Sequence, residues 1–409
     1  MPATSSSARA RRTSAVRYAV TSAFLAAGIV GGALLGACTD TESGPDPASI
    51  ASGRDIFRYD TFGDEKFWTD TLRMHEVIES AVTPEVALSV GLKVDADAIP
   101  PDVRAAIAAG QVDLKSTATT LALIKMNAVV GLKGTVQNIE GRERLTRVGI
   151  TCALCHSSVD NSFAPGIGRR LDGHANIDLN PGAIVALSPA LTAAQKSVYN
   201  SWGPGHYDPR YNIDGKNTLI VIPPAYGLNG VDKETFTGEG PVSYWNAYVA
   251  VTQMHGQGNF RDTRLGIDVR QEPDLVTPKL DALRDYQLSL SAPTPPAGSV
   301  DVDAARRGRA VFMGAGKCVT CHVGSTFTDI NSGKLHAPPE TGMDASYAMR
   351  TSQKAYRTTP LRGLLQHPPY FHDGSAATLA DVVAHYEKVR NLNLTPGQRA
   401  DLVEYLKSL

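Results

Sequence analysis

Cysteine is scarce in this chain: there are five in 409 residues, at positions 38, 152, 155, 318 and 321. Aromatic residues are few too, at 7%, and neither charge is in excess, the formal net charge being −1. Among the first 37 residues the only charged side chains are Arg9, Arg11, Arg12 and Arg17, so without that stretch the charge is −5. No basic stripe remains, which argues against nucleic acid as a partner. No tandem repeat of solenoid length is present. Glycine (37) and proline (25) are plentiful. A chain long enough for two or three domains, poor in aromatics and rich in loop formers, fits a core filled partly by something other than side chains.

Four of the five cysteines fall into two copies of one pentapeptide pattern, Cys152-Ala153-Leu154-Cys155-His156 and Cys318-Val319-Thr320-Cys321-His322. C-x-x-C-H is the attachment signature of c-type haem. Two residues between the cysteines let one helical turn present both sulfurs to one porphyrin edge. The next residue then sets its imidazole under the iron. Two disulfides, or one four-cysteine zinc site, would leave both trailing histidines unexplained. The expected cofactors are therefore two covalently bound haem c groups, with His156 and His322 as proximal iron ligands.

The fifth cysteine closes an export signal. The four arginines precede an apolar run from about Tyr18 to Ala37 that ends Leu35-Gly36-Ala37-Cys38, which resembles a bacterial lipobox. Cys38 is expected to be acylated, giving a membrane-anchored lipoprotein on the periplasmic side. The alternative is an ordinary signal peptide or a retained anchor. One acyl chain holds a membrane only marginally, so a triacylated cysteine is implied.

The fold class expected is all-α, with two cytochrome c-like domains, the first carrying a long helical N-terminal extension and a loop-rich insertion. The boundaries are 1–37 signal peptide, 38–56 flexible tether, 57–290 first domain, 291–300 linker and 301–409 second domain. Thr83-Pro84 and Pro100-Pro101 read as helix starts, and residues 117–132 as an apolar helix. The long irregular middle, from Ser157 to about Gly266, suits a segment wrapping a porphyrin. Helices are expected near Pro278–Leu290, over Asp303–Met313, from the capping box at Thr378, and from Thr395-Pro396 to Leu406.

From Tyr356 the chain reads Tyr-Arg-Thr-Thr-Pro-Leu-Arg-Gly363, then Pro368-Pro-Tyr-Phe-His-Asp-Gly-Ser375. With the two haem motifs, this resembles the bacterial di-haem cytochrome c peroxidase superfamily, which also holds the di-haem enzyme that matures methylamine dehydrogenase. The middle of the chain is more reminiscent of other exported di-haem cytochromes, including the di-haem rubber oxygenases. The resemblance implies peroxide or dioxygen chemistry at the first haem and electron entry at the second from a small donor, a cytochrome c or copper protein.

The resemblance also suggests site residues. His174, eighteen residues after His156, stands where these peroxidases carry a displaceable histidine; Met254 and His255 compete with it. At the second haem the family often uses a methionine fourteen residues beyond the position of His372. Here that residue is Tyr386, and the methylamine-dehydrogenase-maturing enzyme has a tyrosine ligand. Tyr386, Met343 and His372 are thus the candidates there, Tyr386 also reading as plain helix core. Trp245 is the candidate bridge between haems, and Glu239 and Gln253 the candidate proton relay. Arg357 and Arg362 suit propionates, a guanidinium fork matching a carboxylate. The function expected is H2O2 reduction, with electrons passed from haem 2 to haem 1. A non-enzymatic electron-transfer cytochrome, or an oxygenase or cofactor-maturing enzyme with a larger substrate, are the alternatives.

Overall fold

Two helix crossings of the same design organise the chain. The structure is a computed structural model that describes residues 45–409, so the expectations for the signal peptide and Cys38 lie outside the described residues. The helix Pro47–Tyr59 crosses Leu280–Ser289, and the helix Val302–Met313 crosses Pro396–Lys407. In the first crossing a Cβ on Gly53 would fall 1.9 Å from the Ala282 carbonyl oxygen; in the second, one on Gly308 would fall 1.9 Å from that of Asp401. Only glycine permits such an approach. Four residues after each glycine a phenylalanine meets a tyrosine edge-on: Phe57 with Tyr286 at 5.5 Å, Phe312 with Tyr405 at 5.3 Å. The pattern Gly-x-x-x-Phe is thus a second internal repeat beside the two pentapeptides. It also corrects the tether, because residues 47–56 are helical, capped by Asp46 with Pro47 in the first turn.

The structure is helix-rich but carries five two-stranded sheets, so the all-α expectation holds only in its helical part. The largest sheet is the hairpin Leu132–Ile139 with Arg142–Ile150. It lies where a mostly helical pattern was expected. The apolar helix begins at Thr117 but stops at Lys125 rather than at residue 132. Asn127 (φ 54°) leaves the helical region, and Glu140 (φ 53°) and Gly141 (φ 82°) form the hairpin turn, the geometry that suits strand twist. Gly131 (φ 77°) has no room for a Cβ, since the Leu154 Cα would lie 2.1 Å away. The hairpin's start is thereby pressed against the first haem motif.

The other expected helices appear: Pro84–Ser89 capped by Thr83, Pro101–Ala108, Leu280–Ser289, and Val302–Met313 capped by Asp301. Leu379–Val389 and Pro396–Lys407 start on capping boxes at Thr378 and Thr395. One core packs Trp68, Ile78, Ile124 and Leu145 around the hairpin. Another packs Phe57, Ala153, Trp245, Tyr248 and Leu283 behind the first motif, and a third packs Phe312, Leu379, Leu402 and Leu406 around the second. Among the described residues no helix is long and apolar enough to cross a membrane.

Candidate functional site

Each pentapeptide closes on itself through one backbone hydrogen bond, from the His156 amide to the Cys152 carbonyl at 3.2 Å and from the His322 amide to the Cys318 carbonyl at 3.0 Å. One turn thereby gathers two thiols and an imidazole. Cys152, Cys155, Cys318 and Cys321 are all free of disulfides. Desolvation pushes the Cys152 and Cys155 thiols up to about 12 and Cys318 to about 11, so they stay protonated thiols rather than reactive thiolates.

The histidines are held alike. His156 Nδ1 lies 3.0 Å from the Pro223 carbonyl oxygen, and His322 Nδ1 lies 2.9 Å from that of Phe327. A carbonyl can only accept, so Nδ1 carries the proton and Nε2 presents a lone pair, the tautomer an iron ligand needs. Desolvation holds His156 down to about 4 and lowers His322 as well, so both rings are neutral at pH 7. Beside the second motif an apolar cavity is walled by Phe312, Phe371, Leu379, Val383, Tyr386 and Leu406. Free thiol pairs, oriented neutral imidazoles and this apolar slot fit haem c.

The cavity is not built from the C-terminal segment alone. Ile222, Pro223, Pro224, Tyr226, Glu234 and Phe236 also line it. Pro223 therefore faces the second motif's cavity while its carbonyl orients the first motif's histidine. Arg357 and Arg362 line it too. Arg357 ion-pairs with buried Glu234 at 3.1 Å, and its Nε has no partner, which leaves a donor for a further acidic group. Arg362 Nη1 donates to the carbonyls of Gly227 and Asn229, so its fork is already partly used.

The remaining expected residues divide. Tyr386 and Met343 line the cavity, and desolvation pushes the Tyr386 phenol up to about 12. His372 also lines it, but its Nε2 is bonded to Tyr356 Oη at 2.9 Å. His174 follows Gly173, whose amide donates to the His156 carbonyl at 2.8 Å, and its ring stands edge-on to Tyr226 at 5.2 Å. Three expected groups lie elsewhere, with other partners. Glu239 is buried in an ion pair with Arg210, and Gln253 bonds Asn212 and Thr252; neither lines the cavity. His255 is exposed and stacks on Phe67 at 3.7 Å, while Met254 is buried in the core behind the first motif. Trp245 belongs to that same core and reaches the cavity wall only by donating Nε1 to the Glu234 carbonyl at 3.0 Å.

Sequence reasoning missed Tyr226, Glu234 and His367 as cavity residues, along with the two orienting carbonyls. They lie in the long irregular middle and the C-terminal segment, and carbonyl acceptors carry no residue-type signal.

No family model matches the chain. It is 30% identical to the methylamine utilization protein MauG of Methylophilus methylotrophus over 123 residues, which is 26% of this chain and 37% of that protein. The MauG of Methylorubrum extorquens is 30% identical over 129 residues, 26% of this chain and 34% of that one. The cytochrome-c peroxidase IdrP1 of Denitromonas iodatirespirans is 28% identical over 149 residues, 26% and 40% of the two chains. The matches thus span less than half the length of each relative. Among solved structures, Kuenenia stuttgartiensis hydrazine synthase (TM-score 0.35, 19% identity, 52% of this chain and 78% of that one) and a MauG-like protein associated with microbial copper homeostasis (TM-score 0.27, 19% identity, 34% and 54%) are too distant to carry weight. Over about a quarter of its length the chain is thus similar to members of the di-haem cytochrome c peroxidase superfamily.

Proposed function

We propose that the protein is an exported, lipid-anchored di-haem c oxidoreductase that reduces hydrogen peroxide with electrons from a small cytochrome c or copper protein. One observation carries the reading: both C-x-x-C-H turns hold free thiols and a neutral histidine whose Nδ1 is committed to a backbone carbonyl. The haem groups would supply stored electrons and an iron site for the oxidant. The chain supplies the rest. Cys152, Cys155 and His156 hold the first group within a domain spanning residues 57–290 and the helix Pro47–Tyr59. Cys318, Cys321 and His322 hold the second within 301–409. Arg357 would take a propionate on its free Nε.

His174 would be the displaceable residue at the first site, and Tyr386 or Met343 would join His322 in holding the second group. Purified protein given reduced cytochrome c and H2O2 should oxidise two equivalents of donor per peroxide. No turnover with any cytochrome or copper donor, and two low-spin irons that stay saturated on reduction, would remove the reading. A cofactor-maturing role on a larger substrate is favoured by one observation, the Tyr386 phenol in the cavity wall. A tyrosinate ligand lowers an iron potential, where a thioether raises it. Electron paramagnetic resonance of wild type and Y386M separates the two: a spectrum unchanged by the substitution rules tyrosine ligation out.

A further inference from the structure

We infer that Tyr226, rather than Trp245, is the aromatic contact through which an electron passes between the two haem motifs. The inference rests on the di-haem reading above. Tyr226 is 4% exposed and sits three residues after Pro223, whose carbonyl orients His156. On its other flank is His174, with ring centroids 5.2 Å apart. The adjoining Ala225 amide donates to the Gly173 carbonyl at 2.7 Å, and the Gly173 amide to that of His156 at 2.8 Å. Both segments beside Tyr226 are therefore tied to the first motif.

The same ring faces the second. It lines the cavity beside Cys318, Cys321 and His322. Its hydroxyl donates to the Gly363 carbonyl at 3.0 Å. Gly363 (φ +63°) has no space for a side chain, because a Cβ would lie 2.7 Å from Tyr226 Cε2. Next in line is His367 at 6.4 Å, then Tyr370 at 5.8 Å from His367. Four rings thus run from the loop after the first motif into the wall of the second cavity. Trp245 has no such position. It packs against Tyr244 and Tyr248 at 5.4 Å each, inside the core behind the first motif.

The step is the transfer of one electron. The second site loses it, the first gains it, and no bond forms or breaks. The Tyr226 hydroxyl faces a carbonyl, which cannot take its proton, so the phenol stays intact and the ring serves as the tunnelling contact.

The test uses the holoprotein, with covalent haem counted first. Pulse radiolysis then adds one electron per chain, and its redistribution between the two sites is followed by absorbance. Tyr226→Leu should slow this redistribution about tenfold or more, while Tyr226→Phe and Trp245→Phe keep the wild-type rate. His367→Leu, which empties the next ring position, should also be slower than Trp245→Phe; it decides the matter if Y226L does not fold. A Y226L rate within about twofold of wild type would overturn the inference, as would equal slowing in Y226F, or slowing in W245F with none in H367L. Two haems per chain with an unchanged Y226L rate defeats this inference alone. Fewer than two haems defeats it together with the reading it rests on.

Discussion

Asp64 shows how a single side chain near the first motif sets a pH dependence. It is 0% exposed, and its carboxyl accepts from the Ile150 amide at 3.2 Å. Burial outweighs that bond and pushes the group up to about 9 from an ordinary 3.8. A carboxyl raised on folding binds its proton more tightly in the native state. Its stabilising contribution is complete below about 4 and is lost as pH rises through about 9. Asp64→Asn keeps an oxygen acceptor and has no proton to lose. Urea unfolding from pH 5 to 9 should therefore show a flatter profile for D64N, with a gain on the order of 3 kcal/mol at the alkaline end. Parallel profiles for the two proteins would sink this account. Nothing in the sequence distinguishes Asp64 from its neighbours Asp60 and Glu65. Its burial comes from the hairpin folding over it, which is a tertiary event.

At the level of elements, the twin helix crossings depend on two glycines. Gly53→Ala and Gly308→Ala would each force a methyl to within 1.9 Å of a facing carbonyl oxygen. Overpacking of this kind costs about 1–3 kcal/mol, so both variants should unfold at lower urea concentration than Gly397→Ala, where nothing lies within 4 Å. Equal midpoints for all three would contradict the close crossing. The caps make a milder case. Thr378 and Thr395 each accept from the backbone amide of their N3 residue, and their own backbone amide donates to that residue's side chain. Their alanine variants should each lose about 1 kcal/mol in chemical denaturation. These starts were legible because capping residues act within a few positions. The hairpin was not: its first strand follows an apolar run without a break in composition. The alternation that marks a strand is interrupted by Gly134 and by a register shift at Thr135/Val136. The Gly-x-x-x-Phe repeat escaped notice because its meaning lies in the partner helix some 230 or 90 residues away in sequence.

On the scale of the whole molecule, the middle segment and the C-terminal segment share walls and ion pairs. Arg350 lies with its side chain 3% exposed between Asp208 and Asp214, with bonds of 2.7 and 3.0 Å to the first and 2.8 Å to the second. Removing the guanidinium leaves two carboxylates facing each other, one of them fully buried. Arg350→Leu should therefore cost about 3–5 kcal/mol in global unfolding. A loss below about 1 kcal/mol would show the pair to be solvated and the two segments independent. The two C-x-x-C-H turns and the likeness to di-haem proteins were legible because covalent haem attachment would fix residue types at fixed spacing. The residues around them were not, since a sequence does not say which partners the fold gives Glu239, Gln253, Met254 and His255. The central claim is that both C-x-x-C-H turns carry covalent porphyrin. Intact-mass analysis of the purified protein, with a pyridine haemochrome count, tests it most directly. The account predicts two haem c per chain, falling to one in C152A/C155A and to one in C318A/C321A. A wild-type chain bearing one haem or none would contradict it.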